Sequence, residues 1–341
     1  SFNNHWGVPL TLARMPRSTA FAVIEVGMNH AGEIRSLVDM VRPHGALVTT
    51  VEPVHLEFFA DVGEIADAKA EIFEGLVSGG VAVINADNPH AGRLHGAARS
   101  QGARAIVHFG AQPSDTAPDP SIMVRCTRYL ADYQGAQVSA DVAGTPLTFR
   151  LQRPGRHIAQ NALGILGLTT ALGLSPAAVA DGFADHAPGG GRGAREVLSL
   201  ADGGEVLLLD ESYNANPASM RAAFSILSQV DRARYPRRIA VLGDMLELGH
   251  QSQALHAELA GPLRDAGADL VLSCGPHMAD LMAALPVEMR GGHAQTSAGL
   301  VDQLRATVRA GDVVVFKGSL GSRIGPLVTV VRELTGAAAR T

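Results

Sequence analysis

The 341-residue chain is 46% hydrophobic with a mean hydropathy of +0.12, which excludes a disordered polymer and allows two domains with real cores. Its formal charge of −5 argues against a broad nucleic-acid footprint, and no apolar run is long enough to span a bilayer or reads as a signal peptide. Aromatic residues make up only 4%, so the cores must be built from Ala, Val, Leu and Ile, and 38 glycines imply many tight turns.

Residues 1–12 read as a loop with adjacent amides, Asn3 and Asn4, then Gly7 and Pro9. The apolar run 20–26 predicts a buried strand, with Glu25 where a hydrophobe would be expected. Because the chain opens on Ser and this strand arrives almost at once, it reads as the remainder of a longer protein. Asn29 and His30 follow, then a helix from about residue 32. A second strand, 46–51, leads to His55 and Glu57. Helical spacing over 64–76 places Lys69 among small residues. A strand at 81–85, a helix at 93–100 and a strand at 105–109 continue the alternation expected of a parallel sheet covered on both faces.

From 121 to 152 the pattern changes to an antiparallel meander, closed by helices at 161–172 and 176–184. The glycine-rich run 188–193 is the best domain boundary, giving domains 1–187 and 188–341; it carries Arg192, which is either linker or functional. The second half repeats an α/β rhythm. Strands are expected at 205–209, 238–242, 270–273 and 313–316, with helices at 217–228, 252–266, 297–308 and 325–334. Three of these strands end in polar loops, starting at Asp210, Gly243 and Lys317, and residues 336–341 should fray. Cys126 and Cys274 lie in different segments, which fits reduced thiols in a cytoplasmic protein.

Glu25, His55 and Lys69 are residues that ordinary packing does not ask for. A carboxylate inside a strand is costly unless paired, and ligands of open α/β sheets collect at the carboxyl ends of strands. Taken singly, each has an ordinary structural explanation; together they suggest a magnesium–phosphate centre. Lysine occurs only at Lys69 and Lys317 among 28 Lys plus Arg, so arginine served wherever charge alone sufficed. A retained lysine points to chemistry that needs a removable proton. The chain has no P-loop of its own, no zinc spacing and no nucleophile elbow.

The motifs resemble those of the Mur ligase family. They run in order through Asn3-Asn4, Glu25-Val-Gly-Met-Asn-His30, His55-Leu-Glu57, Lys69-Ala-Glu-Ile-Phe73 and Asn85-Ala-Asp-Asn88. They continue through Gly155-Arg-His157 with Asn161, Ser212-Tyr-Asn-Ala-Asn-Pro217, Gly243-Asp-Met245 and Lys317-Gly-Ser319, and so cover nearly the whole chain. The resemblance implies an α/β protein. It would have a central, mostly parallel ATPase-like domain with an antiparallel meander, and a C-terminal Rossmann-like domain. The family's UDP-sugar domain and its P-loop would be missing, leaving the chain incomplete as a catalyst.

The implied activity is ATP-dependent amide ligation that adds D-alanyl-D-alanine to UDP-N-acetylmuramoyl-tripeptide through an acyl phosphate, by a monomer without nucleic-acid or membrane partners. Implied cofactors are ATP and magnesium. Glu25, His55 and Lys69 would serve the metals and the catalysis, Lys69 as a carbamate. Asn161, Arg192, Asp210 or Glu211, Tyr213 and Asn214 would face the nucleotide. Asn3, Asn4, Asn29 and His30 would face the UDP-sugar peptide, and Lys317 and Ser319 would steer phosphate or a substrate carboxylate or else cap loops. The 210–217 segment also reads as an Asx-rich helix cap. Ile158 and Leu320 depart from the family's usual Asn and Arg, with Arg323 near the second position. Rival readings are a folylpolyglutamate synthase-like ligase and a non-catalytic nucleotide- or peptide-binding module.

Overall fold

A computed structural model describes residues 2–54, 56–111, 122–132, 134–185, 189–201 and 203–334. Contacts divide the chain into two compact units. One comprises Ser1–Leu130, Ala136–Gln152 and Arg156–His186; the other comprises Ala131–Gly135, Arg153–Gly155 and Ala187–Thr341.

The first unit holds strands β1 (Gly45–Val48), β2 (Val81–Asn85), β3 (Ala105–Gly110), β4 (Ile122–Asp132), β5 (Gly135–Val142) and β6 (Thr145–Leu151), in that spatial order. Pairing is parallel from β1 through β4 and antiparallel between β5 and β6. Helices α1 (Gly7–Arg14), α2 (Glu33–Val41), α3 (Val62–Ala70), α4 (Ala91–Ser100), α5 (Arg156–Ala171) and α6 (Pro176–Asp181) complete it. Alternation along β2 explains the layering: Val81 and Val83 pack in the core that contains α5, while Ala82 and Ile84 join the core built from α2, α3 and α4. Helix α5 lies close on the sheet because Gly167 faces it; a Cβ there would stand 2.8 Å from Val107 Cγ1.

Two expectations are corrected here. Residues 20–26 form no strand; Phe21 is 74% and Val23 99% exposed, and Glu25 is exposed. An apolar run becomes a strand only by pairing its backbone with a neighbour, and among the described residues the edge strand β1 pairs with β2 and not with 20–26. Residues 7–12, read as loop, belong to α1. Asn4 Oδ1 accepts from the backbone N–H of Trp6 and Gly7 at 3.1 and 3.0 Å, and Pro9 sits in the first turn, where its missing N–H costs nothing. The helix expected over 64–76 stops as α3 and a 3₁₀ turn at Phe73, since the chain then passes α2 so closely that a Cβ on Gly75 would lie 2.5 Å from Val38 Cβ. Residues 336–341, expected to fray, lie outside the described residues.

The second unit holds β7 (Ala194–Ser199), β8 (Glu205–Glu211), β9 (Arg237–Gly243), β10 (Leu270–Cys274), β11 (Arg290–Ala294) and β12 (Asp312–Lys317) in the order β11-β10-β9-β12-β8-β7. All neighbours are parallel except β7 with β8. Helices α7 (Pro217–Ser228), α8 (Ser252–Ala257), α9 (Ala260–Asp265), α10 (Met278–Ala284), α11 (Val301–Thr307) and α12 (Gly325–Glu333) flank the sheet. The helix expected over 252–266 is therefore two shorter ones, and β7 and β11 were not foreseen, because every residue in them is at least partly exposed and they form no apolar run. Together the two sheets give the mixed α/β class read from the sequence. Both cysteines are free thiols, and no helix among the described residues is long and apolar enough to cross a membrane.

Candidate functional site

In the first unit, polar side chains gather where β1 and β2 end. Asn85 Nδ2 donates to the Thr49 carbonyl at 2.9 Å, and Asn88 Nδ2 donates to Thr50 Oγ1 at 3.1 Å and the Val51 carbonyl at 2.9 Å. Thr50 Oγ1 donates in turn to Glu52 at 2.8 Å. Both asparagines are buried, so they fix the path of the segment that runs from β1 towards residue 55. His55 itself lies outside the described residues.

Lys69 sits near the end of α3, half-buried, with no hydrogen bond or ion pair to a described residue. Burial pushes its ammonium below the usual lysine range, and the charge of Glu52 opposes that only in part. The last turn of α3 thus presents an amine biased towards its neutral form.

Glu25 does not occupy the buried strand position expected of it. Its Oε1 accepts from Asn3 Nδ2 at 2.9 Å, and the Asn3 carbonyl accepts from the Gly27 N–H at 2.7 Å, so Asn3 holds the 25–27 stretch. No hydrogen bond or ion pair between described residues links Glu25 to Lys69, and among the described residues no three His, Cys, Asp or Glu side chains gather as a metal cage. Magnesium asks for less: it keeps several waters and needs one or two carboxylates. An exposed carboxylate with one oxygen outside the Asn3 bond fits that demand.

Asn29 and His30 precede α2 together. Their backbone N–H groups donate to Glu33 Oε2 at 2.7 and 3.2 Å, and His30 Nδ1 lies 3.0 Å from Glu33 Oε1. The Asn29 N–H, before the other contacts, holds the Glu33 carboxyl below the usual carboxylate range. Glu71, whose role was not foreseen, is buried and accepts from the N–H of Gly32 at 2.7 Å and of Arg35 at 3.1 Å, placing negative charge at the α2 N-terminus. Its signal was present in the sequence, an acid two residues beyond Lys69 and directly before Ile72 and Phe73. Asn161 is exposed on α5, next to Gln160, which donates to Asp87 at 2.8 Å.

In the second unit the strands β9, β12 and β8 lie side by side, and their carboxyl-end loops meet. Lys317, at the end of β12, is 4% exposed. Its Nζ donates to the Asn214 carbonyl at 2.8 Å and to that of Glu211 at 3.5 Å. Burial, aided by Arg153 and opposed by Glu211, pushes its pKa down to about 8. Ser319 Oγ accepts from the Leu246 N–H at 2.9 Å and faces the Ala215 carbonyl at 3.3 Å. Both side chains therefore stitch loop to loop.

Asp210 is 4% exposed, and Glu211 beside it pairs with Arg153 at 3.4 Å. The Arg192 guanidinium stacks 3.9 Å above the Tyr213 ring. Asn214 lends its side-chain oxygen to the Ala215 N–H at 2.9 Å, and Asn216 caps α7 with a capping box ahead of Pro217, so the Asx-cap reading of 210–217 describes its far end. Asp244, read from the sequence as part of the Gly243-Asp-Met245 motif without a role, is buried after β9 and accepts from the N–H of Met278 at 2.9 Å.

Comparison with known proteins adds to this geometry. Residues 1–169 match the Mur ligase middle domain, and residues 196–320 match the model described as Mur ligase, glutamate ligase domain. The chain is 33% identical to UDP-N-acetylmuramoyl-tripeptide–D-alanyl-D-alanine ligase of Escherichia coli, over 98% of this chain and 69% of that protein. A crystal structure of MurF from Acinetobacter baumannii superposes with a TM-score of 0.83 at 27% identity, covering 98% of this chain and 69% of the other. MurF ligase from Thermotoga maritima in complex with ADP gives a TM-score of 0.77 at 21% identity, covering 98% and 72%, and shares the fold.

Proposed function

The chain belongs to the Mur ligase family, and from that premise we propose how its residues divide the work of the D-alanyl-D-alanine-adding branch. The chain is of an ATP-dependent ligase of peptidoglycan precursor synthesis, adding D-alanyl-D-alanine to UDP-N-acetylmuramoyl-tripeptide. The likeness to the Escherichia coli ligase, which runs through both compact units, carries this conclusion.

A terminal carboxylate oxygen of the tripeptide attacks the γ-phosphorus of ATP, and ADP leaves. The amine nitrogen of D-alanyl-D-alanine then attacks the acyl carbon and gives up a proton, and phosphate departs from the tetrahedral intermediate. Both steps depend on positioning and on neutralising phosphate charge. When bound, magnesium supplies that neutralisation. Glu25, His55 and Lys69 would hold it. The bias of Lys69 towards a neutral amine supports its carbamylation: the nitrogen lone pair adds to carbon dioxide, a proton leaves, and the side chain ends in two oxygens. Arg192, Glu211, Tyr213 and Asn214 face the nucleotide in this reading, with Asn161 at the adenine. Asn3, Asn4, Asn29 and His30 face the UDP-sugar peptide. Lys317 and Ser319 serve substrate through the loops they hold. The protein works as a cytoplasmic monomer.

The test is ATP turnover by the chain joined to a UDP-sugar domain and P-loop of the family, with the UDP-linked tripeptide and either D-alanyl-D-alanine or glutamate as acceptor. A new amide product with D-alanyl-D-alanine alone is expected. Product with glutamate would assign a folylpolyglutamate-type ligase instead.

A further inference from the structure

We propose that Asp210 is a positioning residue: its carboxylate tethers the glycine-rich 189–193 loop and so holds Arg192 over Tyr213, ready for the nucleotide. This rests on the reading above that Arg192 contacts ATP.

The observation is the saturation of a buried acid. Asp210 Oδ2 accepts from the Gly191 N–H at 3.1 Å. Oδ1 accepts from Ser212 Oγ at 2.6 Å and from the Ser212 N–H at 3.2 Å. Its backbone carbonyl accepts from the Gly193 N–H at 2.7 Å, and Arg332 lies 3.9 Å from Oδ2. Asp210 therefore grips the loop on both sides of Arg192, at Gly191 and at Gly193. The loop replies once: the Gly191 carbonyl accepts from the Tyr213 N–H at 2.9 Å. These bonds fix the backbone on both sides of the Arg192–Tyr213 contact, in which the guanidinium carbon lies 3.9 Å from the ring centroid.

The loop's glycines fit this tether. Gly191 has φ +72°, and a Cβ there would lie 3.1 Å from the Tyr213 backbone nitrogen and Cβ; Gly193 has φ +89°. The backbone of the loop approaches that of Tyr213 closely because Gly191 carries no side chain, and a Cβ on Gly193 would run into the Arg153 guanidinium. Asp210, with each carboxylate oxygen already bonded within the protein, has no call on the nucleotide. Glu211, half-buried beside it, is left as the acid that faces ATP.

The experiment combines hydrogen exchange with a kinetic cycle on the protein. Asp210→Asn keeps the size and removes the charge; Gly191→Ala disturbs the same tether from the loop side, with the Asp210 side chain unaltered. Exchange across 189–193 should quicken at least tenfold in Asp210→Asn, while circular dichroism and the other segments stay unchanged. Arg192→Ala should raise KM for ATP roughly tenfold, the scale of losing one charge-assisted contact. Asp210→Asn and Gly191→Ala should each raise it several-fold with kcat at saturating ATP little altered. The double variant Arg192→Ala with Asp210→Asn should match Arg192→Ala alone, because both act through one group. Unchanged exchange in Asp210→Asn, or KM effects that multiply in the double variant, overturns the positioning role. An unchanged KM in Arg192→Ala overturns the assignment of Arg192 to the nucleotide, and the positioning role falls with it.

Discussion

At the scale of single residues, the chain separates two ways of burying a base. Lys69 keeps an amine that Arg could not replace, because a guanidinium does not give up its proton. Lys69→Arg is expected to lower kcat/KM on the order of 100-fold, as Lys69→Ala does, the scale of removing one group that stabilises developing charge. Labelled bicarbonate should give a carbamate signal in the unaltered protein and none in either variant. Retained activity in Lys69→Arg would show that charge alone suffices. His108 is buried for a different reason. It is fully enclosed on β3, 3.1 Å from His95 Nδ1, and burial pushes its imidazole down to about 4, with His95 adding to the effect. His95 is also held below its usual range by burial and by Arg99. Both rings are thus neutral members of the core.

At the scale of elements, glycines decide how close a helix can lie. Gly164 and Gly167 bring α5 against β3, where Val107 and Phe109 fill the space a Cβ would need. Gly167→Ala trades better helix propensity, about 1 kcal/mol in its favour, against overpacking that costs about 1–3 kcal/mol. The clash is with Val107 Cγ1 at 2.8 Å, in a core without slack, so overpacking wins. Net destabilisation of about 1 kcal/mol in urea unfolding is expected, and a stabilised variant would mean that α5 can lift from the sheet. The same closeness explains why α5 was only partly legible. Its apolar spacing was visible from Asn161, but its first turn, Arg156–Gln160, mixes polar residues with Ile158 and Ala159 and is anchored where Gln160 finds Asp87.

At the scale of the whole molecule, the described residues give each unit its own buried clusters, two in the first and two in the second. Unfolding is therefore expected in two transitions. Acid should separate them. The folded pKa of His108 lies below the unfolded value of about 6.5, so the unfolded chain binds the extra proton between the two. Stability that is full above pH ~6.5 is lost as pH falls towards about 4, on the order of 3 kcal/mol from this group. Calorimetry from pH 7 to 5 should show the transition of the first unit moving down more than that of the second, and His108→Leu should remove most of the difference. Equal shifts in both transitions would refute this reading.

The sequence by itself settled the alternation of strands and helices, the meander and the family, because period and motif spacing are local properties that survive without a partner. Lys69 stood out for the same reason, as one of two lysines in an arginine-using chain. Only the tertiary structure decided that the 20–26 run stays unpaired, since a strand exists by virtue of a neighbour's backbone. It alone also showed that Asp210, Lys317 and Ser319 spend their polar atoms on loops of the protein itself. A side chain's type tells what it can bond, but which group stands within 3 Å of it is set by chain segments far away in sequence.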